Sequence, residues 1–222
     1  MHREPSAPGF VDLVRAQLNS EAFFPVHRLD KMTSGLLILA RDAQANSLLS
    51  ASFRERQVEK YYLAIGAGKP TKKQGLICGD MARSRRATWK LCQTQNNPAV
   101  TQFFSGGFAP GLRWFLLKPA TGKTHQLRVA LKSLGTPVLG DPLYGTHSDE
   151  AVDRGYLHAW ALRFAFEGEE FSLLSPPTEG QLFQQAEFRA ALDSLTPPWE
   201  QLWPKLPGAL LQAIGRNRDD ED

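Results

Sequence analysis

The hydrophobic positions along this chain change rhythm several times, and each change predicts an element. Phe10, Val14 and Leu18 recur every four residues, which predicts a short amphipathic helix over 10–19. "AFFPVHRLD" (22–30) reads as an extended approach broken by Pro25, and "GLLILAR" (35–41) as a strand buried on both faces, since its apolar run does not alternate. Asp42 stands where a helix N-cap would, before Ala45, Leu48, Leu49, Ser52 and Phe53 at helical spacing, with an end near Arg56. "VEKYYLAIGAG" (58–68) predicts a strand closed by glycines.

Residues 69–98 lose periodicity and read as a basic, polar loop or hairpin excursion. "AVTQFFS" and "LRWFLLKP" follow as strands divided by the turn "GGFAPG". In "TGKTHQLRVALKSLG" (121–135), Leu127, Ala130, Leu131 and Leu134 make one apolar stripe, so a helix is predicted, ended by Gly135. "LGDPLYG" reads as a compact turn, and "LHAWALRFAFEGEEFSLLSPP" as a hairpin around Glu167-Gly168. Strands outnumber helices and turns join most of them. The expected class is therefore α+β, with a mixed, mainly antiparallel sheet and flanking helices. Residues 1–178 are expected to form the main domain, and 179–222 a small helical or irregular appendage with an acidic tail.

Composition narrows the function. The chain has 222 residues, 42% hydrophobic, enough for one domain with a real core. No apolar run reaches membrane-spanning length, and the start lacks a signal-like apolar segment, so a cytoplasmic protein is expected. Cys78 and Cys92 are too few for a disulfide framework and have no zinc-ligand spacing, so free thiols are expected. Net charge is +3, yet it becomes +7 once the four terminal acids "DDED" are set aside. "MARSRRATWK" (81–90) concentrates Arg83, Arg85, Arg86 and Lys90, a pattern that attracts phosphates.

Common catalytic signatures are absent from the sequence: no Walker-type loop, no Gly-rich dinucleotide fingerprint, no serine elbow. The histidines, at 2, 27, 125, 147 and 158, are scattered, so no metal site is expected. Asp30 remains, in a polar turn with Arg28 before it and Thr33 and Ser34 after it. A carboxylate held this way serves as nucleophile or general base, or merely stabilises its own turn. Tyr61 and Tyr62 share a strand, so only one of them faces the site, and tyrosine offers a flat face to an extruded base. Lys123 and His125 are expected in the first helical turn, where backbone N–H groups favour anions. Arg128, beside the apolar stripe, is suited to a buried carboxylate or a phosphate.

Taken together, "HRLDKMTSGLLILAR" (27–41), "VEKYYLAIGAG" (58–68), "PAVTQF" (98–103), "TGKTHQLRVALKSLGTPVLGDPLYG" (121–145) and "LHAWALRF" (157–164) resemble the RluA-type pseudouridine synthases in order and spacing. The resemblance covers roughly residues 22–177 and implies that fold, with a central RNA-binding cleft. It implies isomerisation of uridine in ribosomal or transfer RNA to its C-glycoside, without cofactor or metal. Asp30 falls on the family's catalytic aspartate, and attack on C1′, attack on C6 and removal of a sugar proton all remain open to it. Tyr62, by its spacing to Ala64 and Gly66, falls on the tyrosine that stacks on the target base. Arg128 falls on the arginine that pairs with the aspartate, and Arg28 on the residue that enters the RNA stack.

Thr124, His125 and Gln126 are expected at the substrate, and Arg83, Arg85, Arg86 and Lys123 at the RNA backbone. The partner is RNA, with no membrane and no protein partner implied, and a monomer is expected. Two departures from the family pattern stand out. The sequence starts at about the histidine, His2, that usually follows a strand and a Lys-Pro-Gly-type motif, so one sheet edge is expected to differ and a small N-terminal RNA-binding domain has no room. Ala130 replaces a frequent histidine, with little expected effect. Two other readings compete: an RNA-binding or folding module without turnover, and, far behind, a glycosidase, which needs a second carboxylate.

Overall fold

A computed structural model describes residues 9–85, 87–145 and 152–216. These residues divide into two units. One is the described chain up to Arg28 with Leu37–Gln57; the other is Leu29–Leu36 with the described chain from Val58 onward.

The first unit holds helix α1 (Phe10–Leu18), strands β1 (Phe24–Pro25) and β3 (Leu39–Ala40), which pair antiparallel, and helix α2 (Ala43–Arg54). The predicted cap of α2 is present: Asp42 Oδ1 accepts the N–H of Ala45 at 2.7 Å. His27 stacks on Phe53 at 4.3 Å, and its Nε2 accepts the N–H of Ile38 at 3.0 Å.

The second unit is built on a seven-stranded sheet. Its path runs β11 (Glu169–Leu174), β10 (Leu157–Phe166), β4 (Glu59–Ala67), β9 (Leu112–Pro119), β8 (Ala99–Ala109) and β5 (Gln74–Gly79), all antiparallel. Strand β2 (Ser34–Gly35) joins β10 in parallel. A separate hairpin pairs β6 (Met81–Arg83) with β7 (Trp89–Leu91). The mainly antiparallel α+β architecture is the one expected.

Local chemistry sets the turns. β10 and β11 meet across Glu167 (φ 51°) and Gly168 (φ 84°), two positive-φ residues whose twist suits a two-residue hairpin. Helix α3 (Gln126–Ser133) ends as predicted at Gly135. Gly135 N–H bonds Lys132 O at 3.0 Å, and Thr136 N–H bonds Leu131 O at 3.1 Å, which satisfies the carbonyls of the last turn.

Strand alternation divides the core. Ala64, Phe115 and Leu117 face α3 and pack with its Leu127, Ala130 and Leu131. Leu63, Ile65 and Leu116 form a second cluster with Tyr156, Phe183, Phe188 and Leu192. The last three come from a 3₁₀ turn (Leu182–Gln184) and helix α4 (Ala186–Asp193), so much of the segment after 178 is core material. Each such aromatic or aliphatic burial is worth about 1.5–3 kcal/mol. Helix α5 (Gly208–Arg216) adds Leu210 and Ile214 against Val100.

Two predicted elements differ. The apolar run 35–41 is not one strand buried on both faces: only Ala40 is buried, and its two ends pair with different partners, Gly35 with Ala159 and Leu39 with Pro25. Gly35, at φ 103°, turns the chain between those partners. The helix predicted within 121–135, with Lys123 and His125 in its first turn, starts at Gln126. Its first turn is replaced by a loop folded around the Gln126 side chain, with His125 left-handed at φ 58°.

Candidate active site

The geometry around Asp30, Arg128 and Tyr62 lies within the second unit. Asp30 sits in a tight turn, where its carbonyl accepts the N–H of Thr33 at 2.8 Å. Its side chain is 20% exposed, and Oδ2 accepts a hydrogen bond from Arg128 Nη1 at 3.1 Å. Among the described residues, Oδ1 takes no hydrogen bond. One oxygen of the carboxylate is therefore anchored and the other is available.

Arg128 is buried on α3, and the remainder of its guanidinium is bound to Asp141. Nε meets Oδ2 and Nη2 meets Oδ1, both at 2.7 Å, a bidentate fork that fixes the plane of the group. Asp141, fully buried, also accepts the N–H groups of Leu143 at 2.9 Å and Tyr144 at 3.1 Å. Burial opposes the charge on Arg128, but the carboxylates of Asp141 and Asp30 outweigh it and raise the pKa above its ordinary value.

Tyr62 is half-buried on the central strand β4, opposite Leu117 on one side and Ala159 on the other. Burial first, and the negative charge of Asp30 second, push its phenol up to about 12. It therefore stays a neutral ring beside the carboxylate. Tyr61 points the other way, fully buried against Trp199 and Trp203 and hydrogen-bonded to Glu59 at 2.6 Å.

Behind the Asp30 turn lies a polar chain. Arg154 Nη2 donates to Ser34 Oγ at 2.6 Å, and Ser34 Oγ lies 2.7 Å from His158 Nδ1. His158 Nε2 lies 2.7 Å from the carbonyl of Ser175, to which it donates. Burial, and the nearby Arg154 charge, hold the pKa of His158 below its ordinary value despite that carbonyl. The neutral ring thus accepts from Ser34 and pins β2, four residues beyond the catalytic candidate.

The other sequence-predicted residues fall as follows. Gln126 is buried, and its amide is satisfied by the scaffold: Oε1 accepts from Thr121 Oγ1 at 2.7 Å and Lys123 N at 3.0 Å, while Nε2 donates to Val100 O at 3.0 Å and Thr101 Oγ1 at 3.1 Å. Its side chain thereby shapes the loop before α3. Thr124 is exposed, while Lys123 and His125 precede the helix instead of lying in its first turn. His125 Nδ1 is 3.0 Å from the hydroxyl of Tyr144. Arg83 and Arg85 are exposed on the β6–β7 hairpin, with Arg83 5.5 Å above the Trp89 ring; Arg86 lies outside the described residues. Arg28 is exposed and belongs to the first unit.

Asp141, Tyr144 and Arg154 were not singled out by sequence reasoning, and Ser34 and His158 were noted without these roles. Asp141 and Tyr144 lie in "LGDPLYG", Ser34 in "TSG" and His158 in "LHAW", whereas Arg154 lies in none of the stretches singled out. Among the described residues no cluster of three or more His, Cys, Asp or Glu could hold a metal ion, and no helix is long and apolar enough to cross a membrane.

Comparison with known proteins gives a consistent picture. Residues 5–133 match a family described as RNA pseudouridylate synthase. An uncharacterized RNA pseudouridine synthase of Haemophilus influenzae is 51% identical over 183 residues, covering 82% of this chain and 81% of that protein. The dual-specificity RNA pseudouridine synthase RluA of Pasteurella multocida is 34% identical over 181 residues, covering 77% and 81%. The solved structure of human RNA pseudouridylate synthase domain containing 1 superposes with a TM-score of 0.66 at 29% identity, covering 84% of this chain and 86% of that one. Against other relatives the chain spans as little as 41% of their length.

Proposed function

This chain belongs to the RluA-type branch of the RNA pseudouridylate synthase family, and on that premise we propose that Asp30 is the group with which it isomerises uridine in RNA to pseudouridine. The observation that carries this assignment is the Asp30–Arg128 pair, backed by Asp141 and set beside Tyr62. In the reaction the bond from N1 to C1′ breaks and a bond from C5 to C1′ forms. The proton on C5 leaves to solvent and N1 gains one, so atoms balance without a redox partner.

Each residue has a part that follows from its setting. Arg128 holds Oδ2, while Oδ1 is presented to the nucleoside. A carboxylate fixed at one oxygen loses little freedom on reaching its reacting geometry. Tyr62, neutral at working pH, offers its ring to the extruded base, where stacking is worth about 1–3 kcal/mol. Extrusion itself costs a few kcal/mol, which a guanidinium such as Arg28 offsets by stacking in the gap. Arg83, Arg85 and Arg86, with Lys123, bind backbone phosphates. The substrate is structured ribosomal or transfer RNA, and the enzyme acts as a cytoplasmic monomer.

The test is a map of pseudouridine in RNA from cells with and without the gene, repeated after complementation with wild type or Asp30→Asn. Sites lost on deletion and restored only by wild type support the reading and identify the RNA. An RNA pool unchanged by deletion would refute it. Purified protein that binds RNA without releasing the C5 hydrogen would favour a folding module instead.

A further inference from the structure

Tyr144 touches both the RNA-binding hairpin and the catalytic pair. The side chain is 2% exposed. Its hydroxyl accepts the backbone N–H of Trp89 at 2.8 Å, which ties it to strand β7. A phenol that accepts from Trp89 has one proton left to give, and His125 Nδ1 is within reach at 3.0 Å. The face of its ring lies under Arg128, whose Cζ is 5.1 Å from the centroid. Its own N–H is bound by Asp141, which also clamps Arg128.

From this arrangement we infer that Tyr144 is a positioning residue that makes the Asp30–Arg128 pair sensitive to RNA held on the β6–β7 hairpin. The chain of neighbours is continuous. Arg83 lies on the Trp89 ring, the Trp89 backbone is held by Tyr144, the Tyr144 ring carries Arg128, and Arg128 holds Asp30. Phosphates drawn to Arg83 and Arg85 seat the hairpin, the seated hairpin fixes the phenol, and the phenol sets the guanidinium. Spatial continuity alone does not establish coupling; the physical criterion is that the two ends fail to act independently. The inference rests on the isomerase reading above.

The experiment is a double-mutant cycle on the chemical step. Bulk RNA carrying tritium at uridine C5, from cells lacking the gene, is mixed with excess enzyme, and tritium release is followed in a single turnover at saturation. Filter binding gives affinity separately. Tyr144→Phe keeps the ring under Arg128 and removes the hydroxyl. Its saturated rate is expected to fall about 3- to 10-fold, the worth of one or two net hydrogen bonds, with affinity within twofold. Arg83→Ala/Arg85→Ala is expected to lower the saturated rate as well as affinity. The combined variant is expected to be no slower than the slower parent. Effects that multiply would overturn the inference, because hairpin and phenol would then act separately. Arg83→Ala/Arg85→Ala with weaker affinity but an unchanged saturated rate would overturn it too, even if Tyr144→Phe did not fold. Absence of tritium release from wild type would instead strike at the isomerase reading.

Discussion

Arg128 divides its guanidinium between two carboxylates, giving Nη1 to Asp30 at 3.1 Å and the Nε/Nη2 edge to Asp141 at 2.7 Å. The tighter, bidentate pairing is the buried one. Asp141 therefore fixes the arginine, and the arginine in turn orients the more exposed Asp30. For Asp30→Asn the shape of the site is kept and the carboxylate charge is lost. Turnover is expected to vanish while RNA affinity stays within a few fold, measured by tritium release and filter binding. Residual turnover near the wild-type rate would remove Asp30 from the mechanism.

Asp141→Asn leaves Arg128 buried without its main counter-charge. Breaking a buried pair from one side costs about 3–5 kcal/mol. Urea denaturation is expected to show a loss of that order, and kcat is expected to fall more than KM rises. A variant as stable and as fast as wild type would show that Arg128 needs no such clamp.

His158 supplies a pH dependence. Its folded-state pKa lies below the ordinary value near 6.5, so the unfolded chain takes up the proton first as pH falls. The stabilising contribution is complete above about pH 6.5 and is lost progressively below it. Denaturation midpoints measured across this range should drop toward acid pH, and His158→Gln should flatten that slope. A wild-type slope retained in the variant would assign the effect to another group.

Gly35→Ala tests the anchor of the Asp30 turn. At φ 103° a Cβ would lie 2.2 Å from the carbonyl oxygen of Ala159. Strain and steric displacement together are expected to cost at least about 2 kcal/mol, and activity should fall because Asp30 lies five residues away. Thermal melting and initial rates check this; a fully active, equally stable variant would mean that β2 does not hold the turn.

Replacing Arg83, Arg85 and Arg86 with alanine should weaken RNA binding and flatten its salt dependence, by a slope of about 0.7–0.9 for each phosphate that is no longer neutralised. Binding isotherms at several salt concentrations measure it. An unchanged slope would take the hairpin out of the RNA footprint.

Local signals in the sequence were legible. The Asp42 cap, the Glu167-Gly168 turn and the Gly135 stop depend on neighbours within a few residues, and each appears where the residues predict it. Asp30, Tyr62 and Arg128 were pointed to only by the spacing of the motifs around them, and the fold brings Asp30 against Arg128. What stayed hidden is non-local. Asp141 looks like part of a turn until Arg128 is folded against it, and Ser34 looks like part of another until His158 and Arg154, more than 100 residues later, close on it. The run 35–41 misled because, though apolar, it is mostly only half-buried and its two ends pair with different partners. The late start of α3 had a similar cause: the buried amide of Gln126 organises a loop that outweighs helical propensity.

The parallel pairing of Ser34–Gly35 with His158–Ala159 has a consequence for biosynthesis. The segment carrying Asp30 leaves the ribosome early, but the strand it must lie beside is made more than 120 residues later. Such high contact order makes assembly of this corner slow and late. A nascent chain stalled before residue 157 would hold the Asp30 turn without its parallel strand partner, so this corner of the sheet closes only after β10 has been made.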